Sequence, residues 1–255
     1  MNKLLEPTNN FTALIQLLLP VFIYLGVDSG AGIGWWLTAV FFWGFVYTVI
    51  GNNVILHRYI CHGHFSIPKY KEYPLLWLGC MVGVGGPLSY AMTHLVHHNS
   101  KYTDTKMDPH GPIRGKRSWL MCFQQTVDPE RTPIFSRRIL ELKQRFWWMH
   151  TYYTPIVIGT AVILYLIDPK VFLFMWAIPA SISCWGIGWA VWRQHIGLQA
   201  RNAPTHRWEP VYEGLHLNHH LFPSAPNTAV NPEEIDWTYQ ASRLLRPTYN
   251  WRGQP

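Results

Sequence analysis

The chain is most constrained by where its charges are missing. No charged side chain occurs in residues 11–27, 29–56, 151–167 or 171–192. Each window approaches the roughly 20 apolar residues that a helix needs to cross a bilayer core. Buried helices of a soluble protein are the alternative, but a soluble helix of this length ordinarily carries one charged face. The expected fold is therefore all-α and integral to a membrane, with four transmembrane helices in two hairpins. The first hairpin pairs residues 11–27 with 32–54 and turns at Asp28-Ser29-Gly30. The second pairs 147–167 with 171–192 and turns at Asp168-Pro169-Lys170. No internal repeat or low-complexity tract divides the chain, so residues 1–255 read as one domain.

The net charge of +7 sharpens this expectation, because the basic residues crowd between Lys101 and Arg145, while the two tight turns carry almost no positive charge. The positive-inside tendency then predicts a cytoplasmic central segment and two cytoplasmic termini. A basic balance also serves nucleic-acid binding, but no binding motif accompanies it, so no nucleic-acid partner is expected. Cys61, Cys80, Cys122 and Cys184 stand far apart and read as ordinary thiols. The N-terminus lacks a basic region followed by a small-residue cleavage site, so its apolar stretch is expected to be retained.

Thirteen histidines punctuate the chain, and eight form three clusters: His57-Arg-Tyr-Ile-Cys-His62, His94-Leu-Val-His97-His98 and His216-Leu-Asn-His219-His220. At this chain's histidine frequency one HxxHH is expected roughly 0.03 times by chance, so two of them with an HxxxxH carry a strong signal. On a helix, positions i, i+3 and i+4 share a face, so each HxxHH can direct three imidazoles at a common point. Positions i and i+5 diverge by about 140° on an ideal α-helix, so His57 and His62 need a bent backbone or two metals. Imidazole suits iron, copper, nickel and zinc, and eight exceed what one ion holds. Two ions are the natural count. His150 and His206 stand alone and are assigned no role.

The clusters also bear on residues 74–93, which are uncharged but contain four glycines and two prolines. Were this segment a fifth span, His94–His98 and His57–His62 would face opposite sides of the bilayer. A shared centre requires it to be re-entrant or membrane-associated, with its irregular backbone buried in protein.

Through these clusters and the residues around them, the chain resembles the membrane fatty-acid desaturase family, and within it the stearoyl-CoA and acyl-lipid delta-9 branch. The order HxxxxH, HxxHH, HxxHH is that branch's signature. Asp104-Thr105 and Asp108-Pro109-His110 after the second cluster are similar too, as are Glu213-Gly214, Asn218 and Phe222-Pro223 around the third. The likeness covers residues 56–224. It implies a di-iron centre held by nine histidines: His57, His62, His94, His97, His98, His195, His216, His219 and His220. His195 enters through this resemblance alone, and His64 is left outside the ligand set. Where the family usually has an Asn four residues before the ninth histidine, this chain has Val191. Asp104, Asp108 and Glu213 are candidates for orienting imidazole N–H groups, or for capping loops.

The activity implied is oxygen-dependent desaturation of a long-chain acyl-CoA or acyl-lipid, placing a cis double bond at the delta-9 position. Two iron ions are the implied cofactor and O2 the co-substrate, with no catalytic side chain beyond the metal centre. The chain has no GxGxxG fingerprint, P-loop or haem-domain HPGG sequence, so electrons come from an external carrier of the cytochrome b5 or ferredoxin type. A membrane hydroxylase of alkyl or carotenoid chains shares this metal chemistry. A metal transporter is the reading from another class, and it favours ionisable groups inside the spans.

Overall fold

The computed structural model describes residues 11–99, 137–195, 200–203, 211 and 213–250. Ten helices follow one another there: α1 (Phe11–Leu17), α2 (Leu19–Asp28), α3 (Ile33–Cys61), α4 (Lys69–Met81), α5 (Pro87–His97), α6 (Arg137–Thr151), α7 (Tyr153–Ile167), α8 (Pro169–Gln194), α9 (His216–Leu221) and α10 (Trp237–Arg243). A two-residue antiparallel ribbon, β1 (Phe65–Ser66) with β2 (Thr248–Tyr249), is the one departure from the all-α expectation among the described residues.

Two helices, α3 and α8, are long and apolar enough to cross a membrane unbroken. The pairs α1–α2 and α6–α7 reach that length only together, bent by 45° and 48°, so two to four spans are supported. The bends have a covalent cause. Pro20 and Pro155 lack the N–H that would continue the ladder across each joint. In the first bend, two carbonyls left without a helical partner are taken up from α8: Trp185 Nε1 donates to Gln16 O at 3.1 Å, and Ser181 Oγ to Ile15 O at 2.8 Å.

At the centre stands α3, packed against α4, α5, α8 and α10. At 29 residues it runs past the window ending at residue 54 and carries His57 inside its last turns, rather than beyond the span. From Phe42 to Cys61 its winding is π-type. Its earlier part exposes Leu37, Val40, Phe41 and Phe45, and α7 exposes Ile163, Leu166 and Ile167. Both helices thus keep large apolar faces outward, as a bilayer requires.

Residues 74–93 do not form one helix. The chain breaks between α4 and α5 over residues 82–86, all buried, where Gly83 and Gly85 take φ of +87° and +113°. A side chain strains at such φ, which is why glycine stands there. The break finds its hydrogen bonds in neighbouring helices: Thr12 Oγ1 donates to Gly83 O at 2.6 Å, Trp176 Nε1 to Met81 O at 3.0 Å, and Gly85 N to the Tyr153 hydroxyl at 3.2 Å.

The ribbon ties the chain's end to the first histidine cluster. Phe65 pairs with Tyr249 and Ser66 with Thr248, and Asn250 N donates to His64 O at 2.9 Å.

Candidate metal centre

Nine imidazoles converge where α3, α5, α8 and α9 meet. His57, His62, His94, His98 and His219 bring one nitrogen each to within 4.8 Å of one another. His97, His195, His216 and His220 do the same beside them. These are the nine histidines that the sequence and the family resemblance single out. His64 and His150 belong to neither group. His206, Asp104 and Asp108 lie outside the described residues.

The π winding answers the geometric problem of HxxxxH. A π turn closes residue i on i+5, so His57 and His62 stand nearly one above the other. The His62 N–H donates to His57 O at 3.2 Å, and the two ring centroids are 4.9 Å apart. Both therefore join the same group, and neither a kink nor two ions is needed to reconcile them.

The HxxHH clusters behave differently from the single focus expected of them. In His94-x-x-His97-His98, positions i and i+4 enter the five-imidazole group and i+3 enters the other. In His216-x-x-His219-His220, i and i+4 enter the four-imidazole group and i+3 crosses to the first. Adjacent residues diverge by about 100° around a helix. A neighbouring His-His pair thus points at two places, and each cluster braces both.

The nitrogen spacings fit cations better than hydrogen bonds. His57 Nε2 and His219 Nε2 lie 2.9 Å apart, His98 and His219 3.1 Å, and His62 and His94 2.9 Å. In the second group His195 and His216 lie 2.8 Å apart, His216 and His220 3.1 Å, and His97 and His220 3.1 Å. One ring nitrogen carries either a proton or one lone pair. His219 Nε2 and His216 Nε2 each face two such neighbours, so pairwise hydrogen bonds cannot satisfy them all. Two nitrogens about 2.1 Å from one metal and at right angles to each other stand about 3.0 Å apart. The donor set fits transition-metal ions.

Electrostatics agree. Burial holds His62, His94, His216 and His219 well below the ordinary imidazole range, and the neighbouring imidazoles push in the same direction. They are therefore neutral at pH 7 and offer lone pairs. Burial opposes the charge of Glu213, yet Arg58 and then His57 keep its carboxyl ionised down to about 2. Glu213 accepts from His57 Nδ1, which leaves the His57 Nε2 lone pair facing the group.

Three contributors went unread in the sequence. Arg58, buried beside His57, donates from Nε to Glu213 Oε1 at 2.7 Å and from Nη1 to Pro226 O at 3.0 Å. Asp236 faces Arg58 Nη2 at 3.2 Å. Asn202 bonds to Asn218, which in turn donates to Thr228 O at 3.0 Å and Glu234 Oε2 at 2.8 Å, locking α9 to the segment that follows. A lone arginine directly after the charge-free window was the available signal for Arg58. The others carried no spacing signal.

A cavity opens beside both groups, bounded by Asn52, Tyr90, Ile187 and Val191 and touched by His57, His94, His97 and His216. Its wall at Val191 offers no hydrogen bond.

The model of the family described as Fatty acid desaturase matches residues 33–231. The chain is 28% identical over 213 residues to the Acyl-CoA C20 Delta5-desaturase of Anemone leveillei, covering 77% of this chain and 66% of that protein. It is 27% identical to the Delta-9 acyl-lipid desaturase 1 of Arabidopsis thaliana, with 78% and 70% covered. Identity to the sn-1 stearoyl-lipid 9-desaturase of Anabaena variabilis is also 27%, with 77% and 75% covered. The chain spans about two thirds of the length of the Anemone relative.

Proposed function

Because this chain belongs to the fatty acid desaturase family, we propose that it is a membrane enzyme that uses O2 and two iron ions to desaturate a long-chain fatty acyl group. One observation carries this reading: nine imidazoles gathered into adjacent groups of five and four, with nitrogens spaced as the edges of metal coordination shells are. Taking hydrogens from an unactivated methylene needs an oxidant that no side chain supplies, and a reduced iron pair with O2 supplies it.

The chain's own residues do the rest. The nine histidines would hold the two ions, five imidazoles being offered to one and four to the other. Glu213 fixes the His57 tautomer and makes its ring a better donor. The cavity between Asn52, Tyr90 and Val191 is where an acyl methylene would meet the ions. Asp104 and Asp108 are proposed to orient further imidazole N–H groups.

The double bond is proposed to be cis and at the delta-9 position, in an acyl-CoA or acyl-lipid. The relatives' names span delta-5 and delta-9 positions, so the position is the finer part of the proposal. Electrons come from a separate cytochrome b5 or ferredoxin-type carrier. Residues 1–255 act as one domain with four spans, the two bent pairs each crossing once and residues 74–93 re-entering. Both termini and all three histidine clusters then lie on the cytoplasmic face.

The test is expression in a host that lacks desaturases, with lipid profiling and elemental analysis together. New monounsaturated acyl chains and two irons per purified chain are expected. A hydroxylated product, or a single stably bound metal after iron-replete growth, overturns the reading.

A further inference from the structure

A chain of buried charges runs from the five-imidazole group to the N-cap of α10. His57 Nδ1 donates to Glu213, whose other oxygen accepts from Arg58 Nε at 2.7 Å. Arg58 Nη2 meets Asp236 Oδ2 at 3.2 Å. All four side chains are at least nine-tenths buried. Asp236 is itself held rigidly. Its Oδ2 accepts from Thr228 N at 2.8 Å and Thr228 Oγ1 at 2.7 Å, and its Oδ1 caps α10 through Tyr239 N at 2.9 Å. Asp236 also lies beyond residue 231, where the family match ends.

Its charge has a physical consequence. Arg58 is one cation between two carboxylates. Were Asp236 neutral, the guanidinium would draw Glu213 alone, and the carboxylate would have less negative charge to offer the His57 N–H. A more anionic partner makes an imidazole a stronger donor to the ion on its other nitrogen. We propose that Asp236 is a positioning residue of the metal centre, which acts through Arg58 and Glu213 to strengthen His57 as a ligand in the five-imidazole group. This rests on the reading of that group as a metal site.

The cap of α10 offers a competing, purely structural role, and a coupling experiment separates the two. Stepwise Fe2+ binding is measured by chelator competition in the full-length protein, for the wild type, Asp236→Asn and Asp236→Ser, and for each again with His57→Ala. Asparagine keeps the shape of the side chain and serine keeps the cap, while both remove the charge facing Arg58. About tenfold weaker binding of one ion is expected in both variants, with the other ion within about twofold of wild type. In the His57→Ala background the same substitutions should change affinity by no more than about twofold. Unchanged binding in the Asp236 variants overturns the proposal, and so does an equal loss in both backgrounds, which marks a structural role. A wild type that fails to bind two ions instead removes the metal reading itself, and this inference falls with it.

Discussion

At the residue scale the ligand set is uneven in how it is read. The eight clustered histidines announce themselves by spacing, whereas His195 is solitary in sequence and gains meaning only from the resemblance. In the structure it is fully buried just after α8, with its Nε2 2.8 Å from that of His216. His195→Ala should therefore abolish double-bond formation and weaken one ion by about 10–100-fold or more while membrane insertion persists. Product analysis at matched expression checks this, and near-wild-type product would leave eight ligands. His64 provides the contrast. It follows the first cluster closely, yet its Nε2 bonds to Pro223 O at 2.8 Å. His64→Ala should retain both ions by elemental analysis. Glu213→Gln keeps the shape but removes the charge-assisted bond to Arg58, which retains Asp236 as its ionic partner. A loss of about 1–3 kcal/mol in unfolding free energy is expected, read as a lower thermal midpoint in detergent beside weaker metal binding. Arg58 and Asp236 were invisible as site residues because a buried ion pair has no sequence period. Its partners here stand 178 positions apart.

At the element scale the decisive feature is the winding of α3. HxxxxH on an α-helix splays its histidines, and composition alone does not announce a π segment 20 residues long. The segment is accommodated by packing. Gly51 lies where a Cβ would come 2.6 Å from Val82 Cγ2 and 3.3 Å from Val46 O. Val82 belongs to the buried break between α4 and α5, so the bare glycine surface lets α3 press on that break. Gly51→Ala should push the two apart and cost about 1–3 kcal/mol of stability, measurable as a lower unfolding midpoint in detergent. Val82→Ala in the same chain should recover most of it, since the clash is with that side chain's methyl. Pro20 and Pro155 are legible as helix breakers, but the partners of the carbonyls freed near Pro20 are not. Those hydrogen bonds come from Trp185 and Ser181 on a helix more than 150 residues away.

At the scale of the whole molecule, topology and metal binding are one question, because ligands from α3, α5, α8 and α9 can share ions only on one side of a bilayer. Single cysteines placed at Asn99 and at Asn227 should label from the same, cytoplasmic side in sealed vesicles. Opposite sidedness would mean a wrong span count and would dismantle the shared centre. Removing the ions should destabilise the fold as well, since ligands that bind only the native state contribute about 4 kcal/mol at a thousandfold excess over Kd. Dialysis against a chelator should therefore lower the thermal midpoint, and Fe2+ should restore it. The residue string alone marks the chain as helical with apolar runs long enough to cross a membrane, its histidines as clusters able to hold metal, and the family it resembles. Those properties are local, set by runs of apolar residues and by spacings of three to five positions. The folded contacts are what divide each HxxHH between two groups, wind α3 as a π-helix, and set Arg58, Glu213 and Asp236 behind His57. Each of these depends on which distant elements meet, and the burial of charge that makes such contacts strong exists only once the chain has folded around them.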